Sequence, residues 1–437
     1  MNIVLLTPGT GNFYCGNCLR DNALANELRA EGHNVHLIPL YLPHIVDEPT
    51  AAATPLFYGG ISVYLEQKLA LFRHTPRWLD NLLNNSKLLK WAADHAGMTS
   101  AHDLGSITLS MLNGEEGKQN KELTFLINYL KQHLPIDIIC LSNAMLLGLA
   151  RRLKSELSCN IVCTLAGEDG FLDALTPAFK DNCWATLTQR AKDADGFIAV
   201  SNYYADVMTN RLSLDPTKVH TVYNGINLEG YTPADSPPDP PTLGYLARMA
   251  PFKGLETLVD AFIHLRTNNR IPNLKLKIAG STVPDDKTFI EKLEKKIAAA
   301  NLTTDATFHP NLDHAEKIEF LRSLSVFSVP ATYGESFGLY LLEAWAAGVP
   351  VVQPRHAAFT ELIESIGGGI LCEPDSAEEL AHAIELTLHR HEDSRQSALE
   401  ARNKVLNDFS VAAMARNVLD VFQQTLDTQP ATPSTGT

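Results

Sequence analysis

The sequence predicts an α/β protein built from two doubly wound domains that face a cleft. Two observations lead to this fold class: short apolar runs of strand length alternate with helical segments through both halves, and a Pro-rich segment separates the halves. The length of 437 residues agrees, because single hydrophobic cores stop growing near ~250–300 residues. In sheets of this type, ligands bind at the carboxyl ends of the strands.

The first forty residues predict a strand, a glycine loop, a helix and a second strand. Residues 3–6 are a buried apolar run, and residues 8–11 form the loop. Residues 19–31 carry apolar side chains at helical spacing, and Gly32 ends that helix. A strand over residues 35–40 completes a βαβ unit, which predicts a parallel sheet covered by helices.

The same alternation continues along the chain. Further strands of the first domain are predicted at 136–141, 160–165, 196–200 and 219–222. Strands of the second domain are predicted at 242–247, 275–279, 307–308, 326–330, 349–353 and 369–372.

These elements set the predicted domain boundaries. The first domain covers residues 1–232, with a mostly helical insertion at 66–133 that carries a local function or interface. Residues 233–241 contain five prolines in nine positions and predict a semi-rigid linker. The second domain covers 242–408, a helix follows at 409–427, and the Thr- and Pro-rich residues 428–437 predict a disordered tail.

The charge of the chain limits the classes of ligand. A formal net charge of −14 gives no electrostatic reason to bind nucleic acid, so any anionic ligand must be held by a few local cations. We expect no transmembrane helix and no signal peptide, because the chain has no apolar run of ~18 residues and starts directly as a strand. Seven cysteines without such a signal favour reduced thiols and a cytoplasmic location.

Two cations follow the first strand of the second domain. Arg248 comes at the carboxyl end of that strand, and Lys253 directly precedes a helix. A helix N-terminus adds partial positive charge and free N–H groups, so this place suits a diphosphate. The alternative is that both residues are ordinary surface cations.

A pair of glutamates gives the stronger signal. We expect the segment Glu335, Ser336, Phe337, Gly338 to open a helix that runs through Glu343 to residue 347. Eight residues of helix would place the two carboxylates on neighbouring faces, about 12 Å apart along the axis. That separation is too long for the acid and nucleophile of a glycosidase, but it suits two hydroxyl groups of one extended ligand.

The start of the same helix offers backbone donors. The amides of Phe337, Gly338 and Leu339 are free to bind a phosphate or sugar oxygen. The alternative is that Glu335 only caps the helix and that Glu343 is solvated.

Residues 330–354 resemble the glutamate-seven-residues-glutamate signature of the family 4 retaining glycosyltransferases, which have the GT-B fold of two Rossmann-like domains. Arg248 and Lys253 match the cations that bind the donor diphosphate in that family. The resemblance extends over about residues 1–410 and is strongest in the second half. It implies a nucleotide-sugar donor and a sugar or lipid-linked acceptor.

The resemblance also implies roles for single residues. Glu343 binds the donor ribose, while Glu335, Ser336 and the loop amides hold the donor sugar. The nucleobase lies near the loop from His309 to Leu312. The helix at 409–427 packs back onto the first domain.

The first domain departs from the family pattern. Ala166 stands where the family has a histidine, so Glu168 and Asp169 are candidates to replace it on the acceptor side. The alternative is that one of them caps a helix. Gly9 and Gly11 permit close approach of the loop to the donor, as do Gly59 and Gly60, although either loop can simply turn the chain.

Two further features leave alternatives open. Cys15 and Cys18 form a lone CxxC pair, which is half of a structural zinc site at most, and we expect no bound metal and no cofactor besides the donor substrate. Residues 69–91 mix basic side chains with tryptophans and leucines, which suits either a membrane surface or a packed helical hairpin.

These features predict a retaining glycosyltransferase of the hexosyltransferase type. The candidate catalytic residues are Arg248, Lys253 and Glu335, and stabilisation of the leaving nucleotide by the two cations would be the main catalytic effect. The alternatives are a phosphorylase with the same fold and a catalytically silent protein that binds sugar nucleotides. The oligomeric state is not determined by the sequence.

Overall fold

The computed structural model describes residues 1–9, 16–41, 57–58 and 101–428, and only the backbone of residues 101–103. The chain divides into two compact units. The first comprises Met1–Val222 and Met414–Thr437, and the second comprises Tyr223–Ala413.

A six-stranded parallel sheet forms the centre of the first unit. Its strands lie in the order β2-β1-β3-β4-β5-β6. Their apolar side chains are almost all buried, as expected for a parallel sheet covered on both faces. The strands are β1 (Asn2–Thr7), β2 (Asn34–Pro39), β3 (Ile138–Leu141), β4 (Asn160–Leu165), β5 (Gly196–Ala199) and β6 (Val219–Thr221).

Helices connect and cover these strands. The described part of the predicted insertion, from residue 101 onward, is helical, while residues 66–100 and the candidate segment 69–91 lie outside the described residues. The helices are α1 (Gly16–Ala30), α2 (Ala101–Leu112), α3 (Asn120–His133), α4 (Ala150–Leu157), α5 (Glu168–Asp173), α6 (Pro177–Ala191) and α7 (Asn202–Leu212).

The second unit is built around another parallel sheet. Its strands lie in the order β12-β11-β10-β7-β8-β9. They are β7 (Thr242–Leu246), β8 (Lys275–Gly280), β9 (Ala306–Pro310), β10 (Val326–Phe327), β11 (Val351–Pro354) and β12 (Gly369–Cys372). The helices are α8 (Leu255–Thr267), α9 (Lys287–Ala299), α10 (His314–Arg322), α11 (Leu339–Ala346), α12 (Ala358–Ile366), α13 (Ala377–His389) and α14 (His391–Asp408).

The predicted fold class is confirmed, since both units are doubly wound parallel α/β structures with strands near the predicted segments. Residues 233–241, predicted as a linker, belong instead to the second unit. They pack there, because the Arg395 guanidinium donates to the carbonyl of Ala234 and the carbonyl of Pro241 accepts from the amide of Lys275 at 2.8 Å.

The final helix, α15 (Val411–Asp427), contributes its residues from Met414 onward to the first unit. There the side-chain amide of Asn160 on β4 donates to the carbonyl of Thr425 at 2.8 Å. No helix in the described ranges is long and apolar enough to cross a membrane.

Gly254 fixes one loop of the second unit against its neighbour. It adopts a φ of +72°, and a Cβ built on it would lie 1.6 Å from the carbonyl oxygen of Pro330. The amide of Thr332 donates to the carbonyl of Phe252 at 3.1 Å, which ties the same two loops together. Only glycine permits this close approach of two backbones.

We therefore predict that Gly254→Ala destabilises the second unit by about 3 kcal/mol or more, through backbone strain and the clash with Pro330. Chemical denaturation of the full chain measures this loss. Gly32→Ala is the matched control: Gly32 follows a helix with a φ of +89°, but no atom lies within 4 Å of the added Cβ. Equal losses in the two variants would show that the contact with Pro330 contributes nothing.

Candidate functional site

The candidate site lies at the carboxyl edge of the second sheet, where two adjacent strands end. After β7 the chain passes through Arg248 and a 3₁₀ turn, Pro251–Lys253, before α8 begins. After β10 it turns through residues 330–338 before α11 begins. Because β7 and β10 are neighbours, these loops meet and bring Lys253 to Glu335.

Lys253 and Glu335 form a buried ion pair. The Lys253 Nζ lies 2.7 Å from Glu335 Oε2. The hydroxyls of Tyr333 and Tyr340 donate to the same oxygen at 2.8 and 2.9 Å. Lys253 also donates to the Tyr333 hydroxyl, and its ammonium lies 4.8 Å from the centre of that ring. Three donors thus converge on one carboxylate oxygen.

This cluster keeps Glu335 ionised. Burial opposes the charge, but the positive charge of Lys253 and the hydrogen bonds from Lys253, Tyr333 and Tyr340 outweigh it, so the pKa of Glu335 is lowered. Within the described residues, Glu335 Oε1 accepts no hydrogen bond. The carboxylate therefore keeps one oxygen for another donor.

Arg248 is held by a second carboxylate. Its Nε and Nη2 donate to the two oxygens of Asp286 at 3.0 and 3.1 Å, a bidentate arrangement. Asp286 is buried and also accepts from the amide of Val283 at 3.1 Å, so it is itself fixed. This fixes the guanidinium, while the Arg248 side chain remains 41% exposed.

The predicted helical relation between the two glutamates is wrong. The helix α11 begins only at Leu339, and Glu335 lies in the turn before it. Gly338 breaks the geometry with a φ of +95°, and the amide of Ala358 donates to the carbonyl of Glu335 at 3.2 Å. Neither the angular offset nor the axial separation derived from one continuous helix applies.

The backbone donors predicted after Glu335 are present at the start of α11. The amides of Phe337, Gly338 and Leu339 donate no hydrogen bond to any group in the described part of the chain. Both Ser336 and the ring of Phe337 are buried. The turn therefore presents amides rather than side chains.

Glu343 lies on α11 and forms its own buried pair. Its Oε1 accepts from Lys317 Nζ on α10 at 2.6 Å and from the Tyr231 hydroxyl at 3.3 Å. Burial, followed by the charge of Glu343, raises the pKa of Tyr231, which keeps that hydroxyl protonated as a donor. Glu343 is thus positioned by two donors.

The predicted nucleobase loop follows β9 at the same edge. His309 is the fourth residue of that strand, and its Nε2 lies 2.9 Å from Thr307 Oγ1. Partial burial and the charge of Lys277 lower the pKa of His309, which favours the neutral imidazole. Leu312 is half-buried and lies just before α10.

In the first unit, Glu168 is engaged by the fold. One oxygen accepts from the amide of Ala144 at 2.8 Å, and the other from the amide of Ala166 at 3.0 Å and the Tyr204 hydroxyl at 2.9 Å. Burial raises the pKa of Glu168 against these hydrogen bonds. This geometry favours a structural role at the start of α5 over contact with an acceptor.

Other predicted residues of the first unit have different outcomes. Asp169 is half-buried and accepts from the Tyr204 hydroxyl at 3.0 Å, so its acceptor-side role stays a prediction. Gly9 follows β1 with a φ of +87°. Gly11, Cys15, Gly59 and Gly60 lie outside the described residues.

The remaining cysteine of the CxxC pair is buried. Cys18 lies on α1, and its Sγ is 3.8 Å from Oγ1 of Thr7 at the end of β1. Across the described ranges no group of three or more His, Cys, Asp or Glu side chains is arranged to hold a metal ion. The absence of a metal and of a cofactor stays a prediction.

Five side chains of the site escaped the sequence prediction: Tyr231, Asp286, Lys317, Tyr333 and Tyr340. Tyr333 and Tyr340 stand two residues before and five after Glu335, so their position beside it was a usable signal. Asp286 and Lys317 come from loops and helices after β8 and β9, and only the strand order brings them to the site.

Two family models match the chain. Residues 233–404 match "Glycosyl transferases group 1", and residues 115–229 match "Glycosyltransferase Family 4". Segments of both halves of the chain are therefore similar to glycosyltransferases.

Curated relatives are about a quarter identical to this chain within the aligned segments. It is 28% identical over 211 residues to D-inositol 3-phosphate glycosyltransferase of Stackebrandtia nassauensis, covering 45% of this chain and 47% of that protein. It is 26% identical over 233 residues to glycogen synthase of Mycobacterium tuberculosis, covering 53% and 54%. The chain thus spans about half the length of the curated relatives it matches.

Solved structures show the GT-B fold over the whole chain. Sucrose-phosphate synthase from Thermosynechococcus elongatus aligns with a TM-score of 0.71 at 19% identity, covering 98% of this chain and 100% of that one. Anabaena HepE in complex with UDP and glucose aligns with a TM-score of 0.68 at 16% identity, covering 98% and 100%.

The lowered pKa of Glu335 predicts an acid-sensitive contribution to stability. A carboxylate with a lowered pKa stabilises the fold above its unfolded pKa, about 4.3, and this contribution is lost as pH falls through the folded value. We expect Glu335→Gln to cost about 3 kcal/mol near neutral pH, because Lys253 loses its buried partner. The difference in the free energy of unfolding between this variant and the wild type should become smaller as pH falls below about 4.

Urea denaturation across this pH range measures the gap. Glu364→Gln is the control, since it removes the same charge from an exposed pair with Arg355. A gap for Glu335→Gln that does not change with pH would contradict the assignment of the lowered pKa.

Proposed function

We propose that this protein is a retaining glycosyltransferase that moves a sugar from a nucleoside diphosphate sugar to an acceptor hydroxyl. The observation that carries the proposal is the placement of Lys253, Arg248 and Glu335 at one carboxyl edge, each cation braced by a carboxylate. The matches to glycosyltransferase family models and the bound UDP in the Anabaena HepE structure support a nucleotide sugar as donor.

Both cations keep a donor for the diphosphate. Arg248 uses Nε and Nη2 on Asp286, which leaves Nη1 without a partner among the described residues. Lys253 uses two of its three N–H groups, on Tyr333 and Glu335. Fixed donors stabilise charge that develops on a leaving diphosphate without reorganising at the moment of reaction.

The donor sugar would bind beside the turn that follows β10. Glu335 is ionised, and its Oε1 is available to accept from a sugar hydroxyl. The amides of Phe337, Gly338 and Leu339 can donate to sugar or phosphate oxygens at the start of α11. Accepting and donating groups thus stand within one short segment.

The ribose would bind to Glu343. Its Oε1 is held by Lys317 and Tyr231, so Oε2 is left for the ribose hydroxyls. The loop of His309 and Leu312 at the end of β9 is the proposed nucleobase contact, where a neutral imidazole suits an uncharged base.

The resemblance to the family 4 retaining glycosyltransferases supports retention. The leaving phosphate can accept the proton of the acceptor hydroxyl, so the protein needs no strong base at Ala166. The charge on the diphosphate is met by Arg248 and Lys253, so the proposal includes no metal and no further cofactor. The acceptor is a sugar or a lipid-linked sugar.

Lys253→Ala should lower turnover by about 100-fold or more, because it removes a fixed cation from the developing charge. Release of the nucleoside diphosphate from a nucleotide sugar, in the presence of acceptor or of water alone, measures the rate. The melting temperature and circular dichroism of the variant establish that it is folded.

Lys287→Ala is the matched control, since Lys287 is exposed and only weakly paired with Glu291 at 3.9 Å. It should turn over like the wild type. Near-normal turnover in a folded Lys253→Ala variant would refute the proposed role of the cation. Release that depends on inorganic phosphate and yields a sugar 1-phosphate would instead indicate a phosphorylase.

A further inference from the structure

A second pocket lies at the opposite edge of the second sheet. It is bounded by Pro241, Ser325 and Pro350, each of which directly precedes a strand: β7, β10 and β11. These three strands are neighbours, so the pocket sits at their amino ends. Lys253 and Glu335 follow the carboxyl ends of β7 and β10, so this pocket is separate from the candidate donor site.

Cations outnumber anions among the charged groups of the pocket. Arg322 and Arg395 line it together with the imidazole of His391, and Asp239 is the only carboxylate among the described lining residues. The chain as a whole carries a formal charge of −14, so a local excess of cations stands out against the general composition. Such an excess favours an anionic ligand.

Both arginines have N–H groups that make no hydrogen bond within the described residues. Arg395 donates through Nη2 to the carbonyl of Ala234, and no other partner occurs in the described part of the chain. Arg322 donates through Nη1 to Glu319, and its Nη2 has no hydrogen-bond partner in the described part of the chain. Each guanidinium therefore keeps N–H groups from which a bound anion can accept.

The helix α14 adds to the same effect. It has 18 residues, and its first residue, His391, lines the pocket together with Arg395 one turn later. Glu392 and Asp393 also stand in the first turn, but helix periodicity of 100° per residue turns them away from the face of His391 and Arg395. His391 and Arg395 thus stand on one face of α14, and that face lines the pocket.

We propose that this pocket binds a small phosphorylated molecule, with the phosphate on Arg322, Arg395 and His391. Planar guanidinium groups bind phosphate with two parallel hydrogen bonds, and the hydroxyl of Ser325 is a further donor at the wall. The space of about 280 Å³ is close to the lower end of pockets that hold small organic ligands, about 300 Å³. It thus leaves room for more than the phosphate alone.

Inorganic phosphate is the probe that tests the site. Its binding to the full chain is measured by calorimetry and by the shift of the melting temperature, at constant ionic strength with chloride as the reference anion. We expect Arg395→Gln and Arg322→Gln each to lower the affinity for phosphate about tenfold or more, because each loses a charge-assisted hydrogen bond. Arg395→Lys keeps the charge and a donor and should retain most of the affinity.

The variant Arg248→Gln distinguishes phosphate binding in this pocket from phosphate binding at the donor site. It removes a cation that could also attract phosphate, and the proposed pocket should still bind phosphate in that variant. Melting without phosphate establishes that each variant is folded, and if Arg395→Gln does not fold, Arg322→Gln and Arg395→Lys decide the question.

The proposal is overturned if phosphate stabilises the wild type no more than chloride does. It is also overturned if Arg248→Gln abolishes phosphate binding while the pocket variants keep it.

Discussion

The approach of Gly254 to the carbonyl of Pro330 determines where Lys253 lies. No side chain fits between the two loops at this point, so the turn after β7 packs directly on the turn after β10. Lys253 precedes Gly254, and Glu335 follows Pro330 by five residues. A contact between two backbones thus sets the distance between a cation on one loop and a carboxylate on the other.

Each cation of the site forms an ion pair with a carboxylate. Arg248 lies on Asp286, Lys253 on Glu335 and Lys317 on Glu343, each at 3.0 Å or less. In a chain with a net charge of −14, such pairs keep cations in fixed places without a basic surface. Each pair also holds its cation in one position before a ligand binds, so the cation does not have to be reoriented at the moment of reaction.

Tyrosines complete the pairs. Tyr333 and Tyr340 donate to Glu335, and Tyr231 donates to Glu343, so hydroxyl donors orient both carboxylates. The lowered pKa of Glu335 is the physical result of this arrangement. A carboxylate with one oxygen already hydrogen-bonded and the other available can bind a ligand hydroxyl in only one position.

Much of the fold followed from short apolar runs, because a buried parallel strand leaves a plain signal in the sequence. Segments such as Asn160–Leu165 and Gly369–Cys372 match their strands end to end. The helix start at Glu335 was wrong, since Gly338 in its left-handed conformation delays the helix to Leu339, and φ is not encoded in spacing. The linker at 233–241 was misplaced because proline content indicates stiffness but not whether a segment packs on its neighbours.

Within the site, sequence position identified Arg248, Lys253, Glu335 and Glu343 but not Asp286 or Lys317. These partners lie far from them along the chain and meet them only through the order of the strands. For Glu168, the position after a strand end suggested contact with a ligand. In the structure, its carboxylate accepts hydrogen bonds from backbone amides of the first unit.

A crystal structure of the full chain with a bound nucleoside diphosphate tests the central claim most directly. The account predicts phosphate oxygens within hydrogen-bonding distance of Lys253 Nζ and the Arg248 guanidinium, with the ribose hydroxyls on the carboxylate of Glu343. A diphosphate bound elsewhere, with Lys253 and Arg248 still engaged only by Glu335 and Asp286, would contradict it.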